Sequence, residues 1–221
     1  MWKACIFDLD GTLADTVESM AYVANGILES FGLPAQPVEK YKYYCGEGAE
    51  MLMKRCLLDA GDTELNYWKE GSRRYRQIFA EDPMYRVTHY PGMPETLWEL
   101  KRKGARLAVC SNKPHTAAVK VIDTMFKGVF DMVLGQQEGI RRKPFPDAPL
   151  KIAEALGVRP EECLYVGDTA TDMQTGRAAG MYTIGALWGF RTREELSENH
   201  ADVLAESPED ILDIYEENAN D

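Results

Sequence analysis

The chain has 221 residues, of which 45% are hydrophobic and 28% are charged, a composition typical of a globular protein with one sizeable core, or a core and a small second domain. Its formal net charge of -11 argues against nucleic acid or an anionic membrane as a partner, because binding either requires clustered basic residues. No apolar run approaches the roughly 18 to 20 residues of a membrane span, and Met1 leads directly into a short strand pattern rather than a signal peptide. We therefore expect a cytoplasmic protein, either a monomer or a homodimer.

Short apolar runs rich in β-branched residues alternate with helical patterns along most of the chain. The runs that predict strands are Ala4 to Phe7, Arg106 to Cys110, Met132 to Leu134, Cys163 to Val166, Tyr182 to Ala186 and, more weakly, Asp202 to Ala205. Alternation of this kind is typical of a parallel sheet whose strands are joined by helices. The sequence therefore predicts an α/β fold with a Rossmann-like parallel sheet.

The region from residue 15 to residue 85 breaks this alternation, because it holds consecutive helical patterns and no convincing strand. The patterns cover Val17 to Ser30, Glu47 to Leu58 and Glu64 to Phe79. We predict an all-helical cap domain of residues 15–85, inserted into an α/β core formed by residues 1–14 and 86–221. A cap inserted after the first strand would stand above the carboxyl ends of the strands, where it could exclude water and select a substrate. The alternative is a helical decoration that only adds stability.

The segment Asp8-Leu9-Asp10-Gly11-Thr12 places two carboxylates directly after the first predicted strand. Residues two apart on a strand point to the same face, and a glycine lets the chain turn away sharply. In open parallel sheets, the crevice at that edge is where ligands bind. A plain turn remains the alternative, but an EF-hand calcium loop does not, because the twelfth position counted from Asp8 is Ser19 rather than glutamate.

Polar and charged residues also follow two other predicted strands, and one lies in a loop segment. Ser111 and Asn112 follow the second strand, Lys143 lies in a basic segment before Pro144, and Asp168 and Asp172 follow the strand that ends at Val166. Each has a structural alternative, such as a helix cap or a solvated loop cation. Converging carboxylates would repel one another without cations, so the set predicts a divalent metal together with the lysine. Oxygen ligands with room for water suit Mg²⁺.

This ordered set resembles the motifs of a known family. The segments Asp8-Leu9-Asp10-Gly11-Thr12, Ser111-Asn112, Lys143-Pro144 and Gly167-Asp168-Thr169-x-x-Asp172 resemble the four motifs of the haloacid dehalogenase superfamily of phosphotransferases. Tyr90-Pro91-Gly92 with Gly104, and then Cys110-Ser111-Asn112-Lys113, resemble the phosphoglycolate phosphatase-like branch, which carries a helical cap. The resemblance covers nearly the whole chain.

The resemblance implies roles for the carboxylates. Asp8 would be the nucleophile that forms an aspartyl-phosphate, and Asp10 would be the general acid and base. Mg²⁺ would be bound by the Asp8 carboxylate, the Asp10 backbone carbonyl and Asp168. Asp172 would orient the metal-bound waters or the motif lysine, with direct ligation left open.

The remaining motif residues would bind the phosphoryl group. The resemblance assigns this role to the Ser111 hydroxyl, the Asn112 backbone amide and the Lys143 ammonium. An aspartate at the position of Asp10 favours a phosphate ester or anhydride over a carbon-halogen or carbon-phosphorus bond. A small phosphorylated metabolite is the expected substrate, with 2-phosphoglycolate as the leading candidate. An inorganic pyrophosphatase, a β-phosphoglucomutase-like phosphosugar mutase and, more distantly, a non-catalytic phospho-ligand-binding module remain alternatives.

The predicted cap contains two further candidates for contact with a substrate. The loop Gly46-Glu47-Gly48 resembles a Gly-x-Gly cap loop that reaches the site, or else it is an ordinary turn between helices. Arg73, Arg74 and Arg76 could bind a substrate carboxylate, but a charged helix usually presents a solvated face, so we do not assign them to the site.

Overall fold

The computed structural model describes residues 1–217, and its central element is a parallel sheet covered by helices on both faces. The strands are β1 (Ala4–Phe7), β2 (Ala14–Asp15), β3 (Thr88–His89), β4 (Arg106–Pro114), β5 (Met132–Gln136), β6 (Cys163–Gly167), β7 (Tyr182–Ala186) and β8 (Val203–Ala205). The large sheet has six strands in the order β5-β4-β1-β6-β7-β8, and all of its pairings are parallel. The predicted α/β fold with a Rossmann-like sheet is therefore confirmed.

The helices connect these strands and cover them. They are α1 (Val17–Ser30), α2 (Tyr41–Tyr44), α3 (Ala49–Asp59), α4 (Trp68–Glu81), α5 (Met93–Arg102), α6 (His115–Met125), α7 (Asp147–Leu156), α8 (Ala170–Ala178), α9 (Arg193–Glu198) and α10 (Asp210–Glu217). Helices α5, α6 and α10 supply apolar residues to the cluster on one face of the sheet, and α7 supplies residues to the cluster on the other. Within residues 1–217, every helix is too short or too polar to cross a membrane.

The register of the central strands explains why the site lies at one edge. Phe7, the last residue of β1, pairs with Val109 on one side and with Val166 on the other. All four residues of β1 and all five of β6 are buried, as expected for strands covered on both faces. Because the strands are parallel and aligned, the residues that follow them emerge side by side at the carboxyl edge.

Strand β4 continues to Pro114, four residues beyond the Cys110 predicted as its end. Its pairing with β5 is irregular between Cys110 and Pro114. Gly135 of β5 permits this extension, because a Cβ there would lie only 2.7 Å from the carbonyl oxygen of Lys113. The polar residues after Cys110 therefore lie on a buried strand and not in a loop.

A second hydrophobic cluster lies among helices α1 to α4. Its members include Met20, Leu28, Leu57 and Phe79, and it also takes in Phe190 from outside the helical region. Strands β2 and β3, which the sequence analysis did not predict, pair in antiparallel fashion on either side of this region. Two residues per strand are too few for a periodic signal. This arrangement is compatible with a cap of residues 15–85, and the boundaries of that domain stay a prediction.

Candidate active site

Three buried carboxylates converge at the carboxyl edge of the sheet. Asp8 follows β1, Asp168 follows β6, and Asp172 lies in the first turn of α8. One oxygen from each lies within 4.8 Å of the others. Asp168 and Asp172 have no solvent exposure, and Asp8 is 6% exposed.

Lys143 neutralises part of this charge. Its ammonium lies 2.8 Å from Asp8 Oδ1 and 2.7 Å from Asp172 Oδ1, and its side chain is 3% exposed. Burial alone would lower the pKa of Lys143, but the charges of Asp172 and Asp8 outweigh it, so the pKa lies above its usual value. Lys143 is therefore a permanent cation between two carboxylates.

Asp172 holds this lysine in place. Its Oδ1 accepts a hydrogen bond from Lys143, and its Oδ2 accepts hydrogen bonds from the backbone nitrogen and the hydroxyl of Thr169, at 3.1 and 2.6 Å. Thr169 is itself the N-cap residue of α8, in a reciprocal capping box with Asp172. Asp172 thus bridges the Lys143 ammonium and Thr169, an arrangement that fits an orienting residue for Lys143.

Asp8 and Asp168 form a donor set that fits a divalent cation. Burial, then the charge of Asp172, raises the pKa of Asp8 to about 7 despite the opposing effect of Lys143. Asp168 also has a raised pKa, chiefly from burial and then from the charges of Asp172 and Asp8. Oδ1 of Asp8 is buried and makes no hydrogen bond, although Lys143 lies within ion-pair distance. Carboxylate oxygens that repel one another and retain free lone pairs suit Mg²⁺ or Ca²⁺.

Two glycines allow the backbone to close around Asp168. A Cβ on Gly11 would lie 2.3 Å from Asp168 Oδ2, and one on Gly189 would lie 2.2 Å from the Asp168 Cβ. This close approach lets the Phe190 nitrogen donate to Asp168 Oδ2 at 2.8 Å, while the Thr12 hydroxyl donates to Oδ1 at 2.8 Å. The sequence analysis missed Gly189 and Phe190, which follow β7 and carry no motif signal of their own.

Asp10 stands apart from the carboxylate cluster and has different partners. Its Oδ1 accepts hydrogen bonds from the Thr16 hydroxyl and from the Lys113 ammonium, each at 2.7 Å. Its side chain is 16% exposed, and it lines the same cavity as Asp8. The two carboxylates of the first motif therefore face one cavity in separate environments. Lys113, which directly follows Ser111-Asn112, was not among the predicted site residues.

Asn112 links the second motif to Lys143 and to the helical region. Its Oδ1 accepts a hydrogen bond from the Lys143 backbone nitrogen at 2.9 Å, and its Nδ2 donates to the Lys143 carbonyl at 3.1 Å. The same Nδ2 donates to the Gly46 carbonyl at 2.9 Å. Ser111 lies beside it and accepts a hydrogen bond from the Lys113 backbone nitrogen at 3.2 Å. The Asn112 side chain therefore fixes the backbone that carries Lys143, in addition to any role of its own amide nitrogen.

The site opens into a small, partly open cavity, in which the volume that the centres of water molecules can occupy is about 40 Å³. Its floor holds Asp8, Asp10 and Ser111, and its roof comes from the helical region. The roof side chains are those of Met20, Leu52, Tyr75 and Phe79. The loop between α2 and α3 completes the roof with Cys45, Gly46, Gly48 and Ala49. The structure thus brings the predicted Gly-x-Gly loop to the site.

The glycines of this loop have backbone conformations that other residues rarely adopt. Gly46 and Gly48 have φ angles of 104° and 89°. By contrast, Arg73, Arg74 and Arg76 point away from the cavity and pair with glutamates on the surface. Their position agrees with the solvated face that the sequence analysis favoured.

Metal dependence and pH should be coupled in this site. Between about pH 4 and pH 7, Asp8 is protonated in the metal-free folded protein and ionised in the unfolded chain. The folded state therefore binds more protons in this range, and the contribution of Asp8 to folding stability falls as pH rises. A divalent cation binds the ionised form, so we expect Mg²⁺ to raise the unfolding temperature more at about pH 8 than at about pH 5. Differential scanning fluorimetry with Mg²⁺ and with EDTA measures this difference. Asp8→Asn should weaken the pH dependence and the exposed control Asp123→Asn should not; equal Mg²⁺ effects at both pH values would contradict the assignment.

Comparison with known proteins identifies the family. A sequence model of the family described as haloacid dehalogenase-like hydrolase matches residues 5–186. A phosphoglycolate phosphatase from Aquifex aeolicus is 33% identical over 215 residues, which cover 97% of this chain and 97% of that protein.

Solved structures agree with this match. One from Lactobacillus delbrueckii subsp. bulgaricus superposes with a TM-score of 0.92 at 30% identity and covers 97% of this chain and 98% of its own. A predicted phosphoglycolate phosphatase from Haemophilus somnus gives a TM-score of 0.88 at 27% identity, with 96% and 97% coverage. The family match over most of the chain, the shared fold and the buried aspartates at the carboxyl edge of the sheet lead to one conclusion: this chain belongs to the haloacid dehalogenase-like hydrolase family.

Proposed function

We propose that this hydrolase is a Mg²⁺-dependent phosphatase that hydrolyses a small phosphorylated metabolite through an aspartyl-phosphate on Asp8, with 2-phosphoglycolate as the leading substrate. The observation that carries the proposal is that Asp8 is buried, lies 2.8 Å from the Lys143 ammonium and lines the cavity at the carboxyl edge of the sheet. The names of the relatives support the choice of substrate.

In the first step, a carboxylate oxygen of Asp8 attacks phosphorus and the bond from phosphorus to the ester oxygen breaks. Asp10, which lines the same cavity, donates a proton to the leaving alkoxide. In the second step, Asp10 takes a proton from water, the water oxygen attacks phosphorus, and the bond to Asp8 breaks. Phosphate leaves, and both aspartates return to their starting states.

The chain also supplies groups that stabilise charge on the phosphoryl oxygens. Lys143 is held by Asp172 and by the Asn112 side chain, so its ammonium is preorganised beside the nucleophile. Ser111 lines the cavity and offers a hydroxyl donor, and the backbone amide of Asn112 is the third proposed donor. Preorganised donors cost little reorganisation as charge develops.

The carboxylates of Asp8 and Asp168 would hold the metal, with the backbone carbonyl of Asp10 as a third proposed ligand. When bound, Mg²⁺ neutralises charge between the anionic nucleophile and the anionic phosphate. Asp172 differs from Asp168 in that one of its oxygens accepts a hydrogen bond from the Lys143 ammonium, so it is proposed to orient Lys143 and the surroundings of the metal.

The proposal is tested by phosphate release from 4-nitrophenyl phosphate with Mg²⁺ and with EDTA, followed by a panel of metabolites. The panel includes 2-phosphoglycolate, pyrophosphate and hexose phosphates. Mg²⁺-dependent release with preference for 2-phosphoglycolate supports the proposal. Interconversion of sugar phosphates without phosphate release would support the mutase, and ligand binding without turnover would support a non-catalytic module.

Asp10→Asn is expected to slow both chemical steps, because an amide can neither donate a proton to an alkoxide nor accept one from water. For an alkyl phosphate we expect a loss in kcat of about 100- to 10,000-fold. With 4-nitrophenyl phosphate the leaving group needs no proton, so the first step should persist and phosphorylated enzyme should accumulate. Intact-mass spectrometry after rapid quenching detects that species. Its absence, with equal losses for aryl and alkyl esters, would contradict the assigned role.

We also propose a cytoplasmic monomer or homodimer without nucleic acid or membrane partners. The net charge of -11 supports the absence of nucleic acid and anionic membrane partners.

A further inference from the structure

We propose that Lys113 determines substrate specificity by binding a carboxylate on the carbon next to the phosphate ester. The substrates would then be phosphate monoesters of short 2-hydroxy acids. This inference rests on the proposed phosphatase function and adds to it a receptor for the second acidic group of the substrate.

Lys113 is a buried cation with few protein partners. It lies near the end of β4, and its side chain is 3% exposed. Its ammonium donates to Asp10 Oδ1 at 2.7 Å and lies 4.4 Å from the centre of the Phe79 ring. A lysine ammonium has three N–H donors, so this environment leaves capacity for further acceptors. A buried charge is costly unless it is well paired, so an anionic ligand at this position would be stabilised.

Lys143 is a useful comparison, because it is buried to the same extent. Its ammonium contacts two carboxylates, those of Asp8 and Asp172, and it is assigned to the phosphoryl group. Lys113 contacts one carboxylate and an aromatic face. In the described part of the chain, these two lysines are the cationic side chains that line the cavity.

The arginines near the roof are engaged elsewhere. Arg142 donates to the backbone carbonyl of Glu47, and Arg191 donates to that of Cys45. Neither lines the cavity in residues 1–217. They hold the roof loop and leave recognition of a second anion to Lys113.

The position of Lys113 beside Asp10 determines where the substrate carboxylate must lie relative to the ester oxygen. Asp10 is proposed to protonate the ester oxygen, so this oxygen must come within hydrogen-bonding distance of Asp10. In a 2-hydroxy acid ester the carboxylate carbon is two bonds from the ester oxygen. An ammonium already bonded to Asp10 is therefore adjacent to such a carboxylate.

The roof above Lys113 favours a small substrate. Met20, Leu52 and Phe79 present apolar side chains to the cavity. Among the roof side chains in residues 1–217, Tyr75 alone carries a polar atom, so most hydroxyls of a hexose phosphate would lack a side-chain partner there, which disfavours binding. A two-carbon acid presents one charged group to Lys113 and little else to the roof.

The test compares two substrates of similar shape in four enzymes: wild type, two Lys113 variants and a surface control. 2-Phosphoglycolate and ethyl phosphate differ by a carboxylate in place of a methyl group. We expect wild type to have a higher kcat/KM for 2-phosphoglycolate than for ethyl phosphate. Lys113→Met should reduce this preference about 10- to 100-fold, which is the range for losing a hydrogen bond to a charged group. The change should arise mainly through KM. Lys113→Arg, which keeps the charge, should retain most of the preference. The exposed control Lys127→Met should leave it unchanged.

A role limited to positioning Asp10 gives a different result. Lys113→Met would then lower kcat/KM for both substrates by the same factor, which would overturn the proposal. If wild type hydrolyses both substrates equally well, the specificity proposal fails while the phosphatase stands. If wild type hydrolyses neither these nor 4-nitrophenyl phosphate, the proposed function fails and this inference with it. Lys113→Gln provides the same comparison if the methionine variant does not fold, as judged by circular dichroism.

Discussion

Asp8→Asn is expected to abolish turnover, with a loss in kcat of more than about 10,000-fold for every phosphate ester tested. The amide cannot attack phosphorus, and Asp10, the other carboxylate that lines the cavity among residues 1–217, is bonded to Thr16 and Lys113 and is assigned to proton transfer. The measurement is single-turnover phosphate release with Mg²⁺ present. Asp123→Asn, on the exposed face of α6, is the matched control and should retain wild-type rates.

The same substitution should leave the fold intact. Asparagine has nearly the volume of aspartate, and it removes the Asp8 charge, which together with burial and the charge of Asp172 raises the pKa of Asp168. The unfolding temperature of the metal-free variant at about pH 8 should therefore equal or exceed that of wild type. A folded variant that keeps substantial Mg²⁺-dependent phosphatase activity would contradict the nucleophile assignment.

Lys143→Met is expected to cost both stability and activity. Without the ammonium, Asp8 and Asp172 are buried together with no protein cation between them, and breaking a buried ion pair in this way typically costs about 3–5 kcal/mol. The loss should be smaller at about pH 5 than at about pH 8, because the carboxyl groups can then take up protons. Urea unfolding at the two pH values measures the effect, with Lys127→Met as the surface control.

Adding Mg²⁺ separates the effect of Lys143→Met on stability from its effect on turnover. A divalent cation at Asp8 and Asp168 would offset part of the lost stability, and turnover would still fall because the phosphoryl group has lost a charged donor. A Lys143→Met protein as stable as wild type at both pH values would show that the lysine does not compensate these carboxylates. Normal kcat/KM in the same variant would remove Lys143 from the phosphate-binding groups.

The strands were predictable because burial on both faces leaves a strong signal. Ala4–Phe7 and Tyr182–Ala186 have the bounds that the apolar runs predict. The end of β4 was not predictable, since residues 111–114 are polar and join the strand only through contact with β5. The pairing of β2 with β3 also depends on residues 73 positions apart or more, which no local pattern reports.

The candidate site also has a part that was predictable from the sequence and a part that was not. Asp8, Asp168 and Lys143 lie in recognisable motifs, and their convergence follows from the parallel alignment of strand ends. The contact between Lys113 and Asp10 joins residues 103 positions apart, and the contact between Phe190 and Asp168 depends on glycines that let two backbones approach. Such contacts arise from packing and leave no periodicity or spacing in the sequence.

The sequence by itself determined the parallel α/β core, the helical character of the insert and the residue types that carry the chemistry, because burial and strand-end position act locally on each segment. The tertiary structure alone decided which groups became partners. It set the Lys143 ammonium between Asp8 and Asp172, tied Asn112 to both Lys143 and Gly46, and brought Lys113 against Asp10 beneath a largely apolar roof. These relations depend on how distant elements pack, and they govern charge compensation in a buried site, where an unpaired group is costly.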